Sequence, residues 1–186
     1  MSRFKITETA ISDLRIIERN PVGDDRGHLE RLFCSEELKP IIGNRNIQQI
    51  NHTLTAKSGA VRGMHYQNPP HAEMKLVSCL RGEVFEVAVD LRKDSLTFLK
   101  WHAVILSEAN HRTFAIPEGF AHGFQALTDN CELLYFHTAA YEPSSEAGLN
   151  ALDPRLGIEW PLLLTERSAR DQQHWLVTPD FLGVSI

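Results

Sequence analysis

Short runs in which apolar and polar residues alternate cover most of the 186 residues of this chain. Alternation with a period of two is typical of half-buried β-strands, and Gly, Pro, Asn or Asp bound the runs, as turns require. Helical periodicity is confined to Ser35–Leu38 and Glu166–Gln173, where it predicts a turn or two. The predicted strands are Phe4–Thr9, Asp13–Glu18, Leu29–Phe33, Ile47–Thr53, Ala60–His65, Lys75–Leu80, Glu83–Leu91, Phe98–Leu106, Thr113–Ile116, His122–Ala126 and Glu132–Tyr141.

Turn signals between these runs point to one fold class. Leu80–Glu83 contains Gly82 and predicts a tight hairpin, and Pro117–Gly119 predicts a second turn. Many short strands with little helix predict an all-β, antiparallel jelly-roll barrel. The stretch from Pro154 to Ile186 has aromatic residues without a clear period. We expect it to wrap over the barrel as a C-terminal extension of a single domain, residues 1–186.

Composition narrows the class of protein. A formal net charge of −5 argues weakly against a nucleic-acid binder, although a local basic pocket for an anionic ligand stays possible. Three widely spaced cysteines without a CxxC motif argue against a disulfide scaffold and suit a reducing compartment. We see neither a signal peptide nor a run of about 20 apolar residues. The protein is therefore expected to be cytoplasmic, with no nucleic acid and no membrane as partners.

Reactive side chains are concentrated in a few segments. Arg62–Gln67 contains an arginine and a histidine, and Lys75 follows shortly after. Gln49 and Asn51 share one face of a predicted strand, where buried amides need hydrogen-bond partners. Ile116–Phe124 places a second histidine between small residues after a turn. Each segment alone is compatible with an ordinary strand end, but together they favour a polar ligand pocket.

Further motifs extend this pattern over most of the chain. In order, they are Asp25–Gly27, Gln49–His52, Arg62–Gln67, Lys75–Val77, Val89–Arg92, Ser95–Phe98, Ile116–Phe124, Tyr135, Tyr141, Asp153–Pro154, Trp160–Pro161 and Asp171. With this order and spacing, the chain closely resembles the dTDP-4-dehydrorhamnose 3,5-epimerase family. The resemblance implies a cupin-type jelly roll that needs no metal or other cofactor. It also implies a nucleotide-diphosphate sugar as substrate, in the synthesis of deoxysugar or cell-surface polysaccharide precursors.

The resemblance assigns four catalytic roles. His65 matches the base that removes a proton next to the C4 ketone, and an unperturbed imidazole pKa of about 6.5 suits that task. Asp171 matches the carboxylate that orients this imidazole. Lys75 matches the cation beside the oxygen that becomes an enolate. Tyr135 matches the acid on the opposite face of the sugar ring, because inversion requires proton removal and return on opposite faces.

The resemblance also implies binding residues. Arg26 and Arg62 match positions that hold the diphosphate and sugar, although a surface salt bridge is the alternative for both. For Asp90 and Arg92 we favour a structural ion pair. The implied substrate-binding residues are Arg26, Arg31, Gln49, Asn51, Arg62, His122, Tyr141, Glu146 and Arg170.

Four positions depart from the family pattern. Arg31 stands in place of a glutamate and Arg170 in place of a lysine, both at positions that resemble ligand contacts. Glu86 replaces an aspartate and Leu96 a proline. None of these is a catalytic position. The two arginines leave the nucleotide base, the hexose, and the choice between C3, C5 or both open.

Other functions remain as alternatives. A metal-dependent cupin would need ligands drawn from His65, His71, Glu73 and His122, but the HxH pair typical of such sites is missing. A mono-epimerase or a 3,4-ketoisomerase acting on another nucleotide sugar is a closer alternative, and a non-catalytic sugar-binding module is the third. Tyr135 together with Asp171 favours epimerisation.

The resemblance finally implies a homodimer in which strands of one subunit contribute to the other subunit's sheet and pocket. Unpaired edge strands favour association. Phe4–Thr9 is the candidate for the exchanged element.

Overall fold

A computed structural model of the chain describes residues 2–186 and consists mainly of antiparallel strands. The two helices are α1 (Ser35–Ile42) and α2 (Ala169–Gln173). The strands are β1 (Phe4–Glu8), β2 (Arg15–Arg19), β3 (Val22–Asp24), β4 (Gly27–Leu29), β5 (Gln49–Thr55), β6 (Val61–Gln67), β7 (Lys75–Arg81), β8 (Glu83–Asp90), β9 (Trp101–Ser107), β10 (Arg112–Ile116), β11 (Phe120–Ala126), β12 (Cys131–His137) and β13 (Glu146–Gly148).

Two large sheets form the barrel. One has the strand order β1-β2-β10-β7-β12-β5, and the other has the order β13-β6-β11-β8-β9. The short strands β3 and β4 pair only with each other in a separate hairpin. The predicted all-β jelly roll is confirmed.

The inward-facing positions of the strands change from apolar to polar along the barrel. On β12, Leu133 belongs to the buried apolar cluster between the sheets, Tyr135 belongs to that cluster and also lines a cavity, and His137 lines only the cavity. On β11, Phe124 and His122 make the same change. Burial of each large apolar side chain contributes about 1.5–3 kcal/mol. One end of the barrel is therefore a packed core that holds the polar end in place.

Both outer faces of the barrel are covered. Leu38 and Ile42 of α1 pack with Leu76 and Phe136 on the six-stranded sheet. The C-terminal segment packs on the five-stranded sheet, where Val177 belongs to the apolar cluster of that face. The prediction that this segment wraps over the barrel is confirmed.

The predicted elements differ from the structure in several places. The predicted strand Leu29–Phe33 is wrong: β4 ends at Leu29, and β3 and β13 are too short to show alternation. Gly82 turns with a φ of +76°, as expected, but it leads from one sheet to the other. The predicted hairpin at that turn is therefore wrong.

None of the helices within residues 2–186 combines the length and the apolar character needed to cross a bilayer.

Candidate active site

A cavity of about 340 Å³ lies between the two sheets, beyond the apolar core. Six strands and α2 supply side chains to its walls, so side chains from facing sheets point at one another. The lining residues are Asn51, Thr53, Arg62, His65, Tyr66, Gln67, Glu73, Lys75, His122, Phe124, Tyr135, His137, Tyr141, Glu146 and Arg170.

His65 and Asp171 form a hydrogen-bonded pair at this cavity. His65 Nε2 lies 2.7 Å from Asp171 Oδ1, and the Gly63 N–H donates to Asp171 Oδ2 at 3.3 Å. Burial opposes the charge on Asp171, but the hydrogen bond and charge of His65 hold its pKa below the usual value. An ionised carboxylate only accepts hydrogen bonds. Nε2 of neutral His65 therefore carries the proton, and Nδ1 keeps the lone pair that a base needs.

Local sequence fixes both members of this pair. Ser168 caps α2 by accepting the Asp171 N–H at 3.0 Å, which sets the carboxylate at the start of that helix. Gly63 has a φ of +125°, and a Cβ on it would lie 2.6 Å from the Cα of Gly123. Glycine therefore permits the irregular, close pairing of β6 and β11 beside His65.

Tyr135 faces the same cavity from the opposite sheet. Its ring lies 6.1 Å from that of His122, and His122 is the cross-strand neighbour of His65. Burial is the main cause that raises the pKa of Tyr135 above the usual value for a phenol, and the nearby carboxyl of Glu86 raises it further. The phenol therefore keeps its proton at neutral pH and is available as a donor.

Lys75 is held by a buried network that the sequence analysis missed. Its Nζ lies 2.9 Å from Glu73 Oε1, and Glu73 Oε2 lies 2.8 Å from His137 Nδ1. Burial opposes the charge on Glu73, but His137 and Lys75 hold its pKa below the usual value. His137 lies two positions from Tyr135 on β12, so strand periodicity was a signal for it, whereas Glu73 precedes β7 and had no such signal. The network fixes the ammonium group at the cavity wall.

Gln49 and Asn51 share a strand face, as predicted, but their partners belong to the protein. Gln49 donates to Asn51 Oδ1 at 3.2 Å and accepts the Tyr141 N–H at 2.9 Å. Asn51 Nδ2 lies 3.4 Å from His137 Nε2. Asn51 lines the cavity, whereas Gln49 supports it from behind.

His122 forms a second histidine–carboxyl pair, with Nδ1 2.8 Å from Glu86 Oε1. Burial raises the pKa of Glu86 well above the usual value, and Glu86 Oε2 is buried without a hydrogen-bond partner among residues 2–186. Burial and the charge of Lys75 lower the pKa of His122 well below its usual value. Both shifts favour the neutral form of each partner.

Polar residues at the rim connect the cavity with a neighbouring cleft of about 870 Å³. Tyr141 donates to Glu146 Oε2 at 2.7 Å, and Arg170 donates to the same oxygen at 3.0 Å. Arg62 and Arg170 line both the cavity and the cleft, which Arg167 also lines. These guanidinium groups make the cleft suitable for an anionic group such as a diphosphate.

Arg26 and Arg31 lie away from the cavity of their own chain. Arg26 is in the turn of the β3–β4 hairpin, with its side chain 90% exposed and paired with Asp24. Arg31 pairs with Glu37 of α1. Neither arginine lines the cavity or the neighbouring cleft of its own chain.

The ligand set expected of a metal-dependent cupin does not come together. Glu73 is engaged by Lys75 and His137, and His71 is outside the cavity. Within residues 2–186, the side chains whose ligand atoms converge within 4.8 Å are instead His65, Asp171 and His174. His174 was missed in the sequence analysis, where nothing in the spacing marked it.

The interpretation of Asp90 and Arg92 as a structural ion pair agrees with the contacts. Asp90 is fully buried and binds Arg92 at 2.9 Å. Ser95 and Thr97 donate to the same carboxylate at 2.7 Å. The pair fixes the loop that follows β8, away from the cavity.

Comparisons with known proteins were made for the whole chain. A model of the family described as dTDP-4-dehydrorhamnose 3,5-epimerase matches residues 8–178. The enzyme of that name from Salmonella typhimurium is 44% identical over 168 residues, which are 89% of this chain and 91% of that protein. A dTDP-6-deoxy-D-glucose-3,5-epimerase from Legionella pneumophila, solved with dTDP-4-keto-L-rhamnose, has a TM-score of 0.91 and 39% identity, covering 98% of this chain and 99% of that one. A 3'-monoepimerase from Streptomyces bikiniensis, solved with dTDP-quinovose, has a TM-score of 0.84 and 30% identity, covering 90% of this chain and 85% of that one.

Proposed function

The chain belongs to the dTDP-4-dehydrorhamnose 3,5-epimerase family, and we propose that it inverts carbons beside the ketone of a dTDP-linked 4-keto-6-deoxy sugar with His65 as base and Tyr135 as acid. It is an isomerase-class epimerase. We assign the roles of base and acid because His65 and Tyr135 line one cavity from facing sheets. A sugar ring between them presents opposite faces to the two groups.

The first half of the reaction is proton removal. The C4 ketone acidifies the protons on C3 and C5, because the carbanion that remains delocalises onto the ketone oxygen. Nδ1 of His65 takes the proton, and the Asp171 carboxylate stabilises the imidazolium that forms. Lys75, held by Glu73, places a positive charge beside the developing enolate oxygen.

The second half is proton return on the other face. Tyr135 donates its phenolic proton to the carbon. Before the next cycle His65 loses its proton to solvent and the Tyr135 phenolate regains one from solvent. A ketoisomerase moves a proton between neighbouring carbons and needs no acid on the opposite face. The position of Tyr135 therefore favours epimerisation over ketoisomerisation.

Substrate binding follows from the charges around the cavity. Arg62 and Arg170 stand where the cavity meets the cleft, and we assign the diphosphate to them and the nucleoside to the cleft. Asn51, His122 and the rim pair of Tyr141 and Glu146 are assigned to the sugar.

A homodimer is part of the proposal. The exposed β3–β4 hairpin carries Val22 and Leu29, 49% and 67% exposed, and edge strand β5 exposes Ile50. A second subunit that covers these residues would bring Arg26 of one chain towards the cavity of the other. β1 pairs with β2 of its own chain throughout, so the exchange of Phe4–Thr9 stays a prediction.

The test is solvent exchange. The enzyme is incubated in deuterated water with dTDP-4-keto-6-deoxyglucose and followed by proton NMR. We expect deuterium at C3, C5 or both, and the pattern separates a 3,5-epimerase from a mono-epimerase. Exchange at neither carbon would contradict the proposal, while faster exchange with a GDP- or CDP-linked sugar would change only the nucleotide.

A further inference from the structure

Three metal-ligating atoms converge around His65, which lines both the cavity and the neighbouring cleft. His65 Nε2 lies 2.7 Å and His174 Nε2 lies 3.6 Å from Asp171 Oδ1, and the three atoms lie within 4.8 Å of one another. Two imidazoles and one carboxylate are a common protein ligand set for zinc. The distances between these ligand atoms need to change only slightly for each atom to lie roughly 2.0–2.2 Å from one metal ion, as in such sites.

The position of His174 suits the binding of a metal ion. Its Nε2 is buried and has no hydrogen-bond partner within residues 2–186. Its ring fills the space above Gly148 of β13, where a Cβ would lie 2.4 Å from Nε2. A buried ring nitrogen without a partner is unfavourable, and a metal ion would satisfy it.

We propose that His65, Asp171 and His174 bind a divalent transition-metal ion such as Zn²⁺, and that the bound ion inhibits the epimerase. The inhibition rests on the proposed function, in which His65 is the base, whereas the binding does not. His65 and Asp171 also line the neighbouring cleft, so an ion can reach the three residues from that side.

The inhibition follows from the tautomer of His65. Without metal, the hydrogen bond to Asp171 keeps the proton on Nε2 and leaves the Nδ1 lone pair free. A metal on Nε2 forces the proton of the neutral imidazole to Nδ1. The lone pair that would remove the carbon-bound proton is then lost, and Asp171 is diverted to the metal.

Binding is tested directly on the metal-free protein. Zn²⁺ is titrated by calorimetry, and Co²⁺ by its visible absorption, into the parent protein and into His174→Gln. We expect one ion per chain in the parent protein and an affinity at least about tenfold lower in the variant, since even loss of a group supporting a ligand costs this much. His28→Gln is the matched control, because His28 lies on exposed β4 beside another histidine, His111.

Several outcomes would overturn the proposal. They are no binding by the parent protein, equal binding by His174→Gln, or loss of binding in the His28→Gln control. If His174→Gln fails to fold, His174→Asn serves, and Zn²⁺ should raise the melting temperature of the parent protein but not of the variant.

Inhibition is tested separately by solvent exchange. Zn²⁺ should abolish exchange in the parent protein at concentrations that leave His174→Gln active. A parent protein without exchange before metal is added refutes the proposed function and leaves the binding result standing. Metal binding with undiminished exchange refutes the inhibition alone.

Discussion

Two histidines that line the cavity, His65 and His122, each pair with a carboxyl group at nearly the same distance but differ in their electrostatic surroundings. His65 and His122 are cross-strand neighbours on β6 and β11, and their rings lie 2.7 and 2.8 Å from Asp171 and Glu86. Asp171 is ionised beside an imidazole whose side chain is 25% exposed. Glu86 and His122 are buried, and their pKa shifts favour the neutral form of each.

The second carboxyl oxygen explains the difference. Asp171 Oδ2 accepts the Gly63 N–H, which stabilises the negative charge. Glu86 Oε2 is buried without such a donor, so ionisation would leave an unsatisfied charge. One backbone N–H and access to water therefore distinguish the pair that contains the proposed base, His65, from the pair of His122 and Glu86.

The largest expected effect on the reaction rate comes from replacing His65, which is the more exposed of the two histidines. We expect His65→Gln to lower the rate of solvent exchange by about 10³-fold, within the range typical for loss of a general base. His122→Gln should lower it by no more than about tenfold, because burial opposes a positive charge on His122 and we assign it no proton transfer. The exchange rates are measured by NMR in deuterated water. Equal losses of rate in both variants would contradict the proposed functional difference between the two histidine–carboxyl pairs.

A smaller effect is expected when only the orienting carboxylate changes. In Asp171→Asn, the new amide can donate to Nε2 of His65 and so favours the tautomer with its proton on Nδ1. We expect kcat to fall by about 10²-fold with an unchanged KM. Glu86→Gln is the matched control and should keep kcat within a few-fold. An Asp171→Asn enzyme as active as the control would show that Asp171 does not set the tautomer.

The smallest expected effect is on stability and depends on pH. Because the pKa of Glu86 is raised on folding, the folded state retains a proton that the unfolded state loses above its pKa of about 4.5. This contribution therefore destabilises the parent protein increasingly as pH rises above about 4.5. Glu86→Gln does not titrate, so its melting temperature relative to the parent should rise with pH, by about 2–4 °C at pH 8. Melting curves at pH 5 and pH 8 measure this difference, and a difference that falls with pH would contradict the neutral pair.

Much of the fold follows from local alternation in the sequence. The apolar strands and the polar positions of His65, Lys75 and Tyr135 lie in segments with a clear period of two, and these share the cavity. Strand pairing is a property of the assembled sheet, so the sequence could not show that Gly82 connects different sheets. The same reason explains why Arg26 and Arg31 were placed at a site that they do not reach in one chain.

The remaining features depend on contacts between distant segments. The Glu73–His137 network joins residues 64 positions apart, and the packing of His174 on Gly148 depends on a C-terminal segment without a clear period. The different ionisation of the two pairs depends on burial and on one backbone N–H. Neither quantity can be read from residue types alone.

The central claim is that base and acid act on opposite faces of the ring, and Tyr135→Phe tests it most directly. With dTDP-4-keto-6-deoxyglucose in deuterated water, one proton NMR time course measures both loss of the carbon-bound proton and appearance of the inverted sugar. We predict that proton loss persists in this variant while inversion slows by about 10²-fold or more. Inversion as fast as in the parent protein would contradict the account.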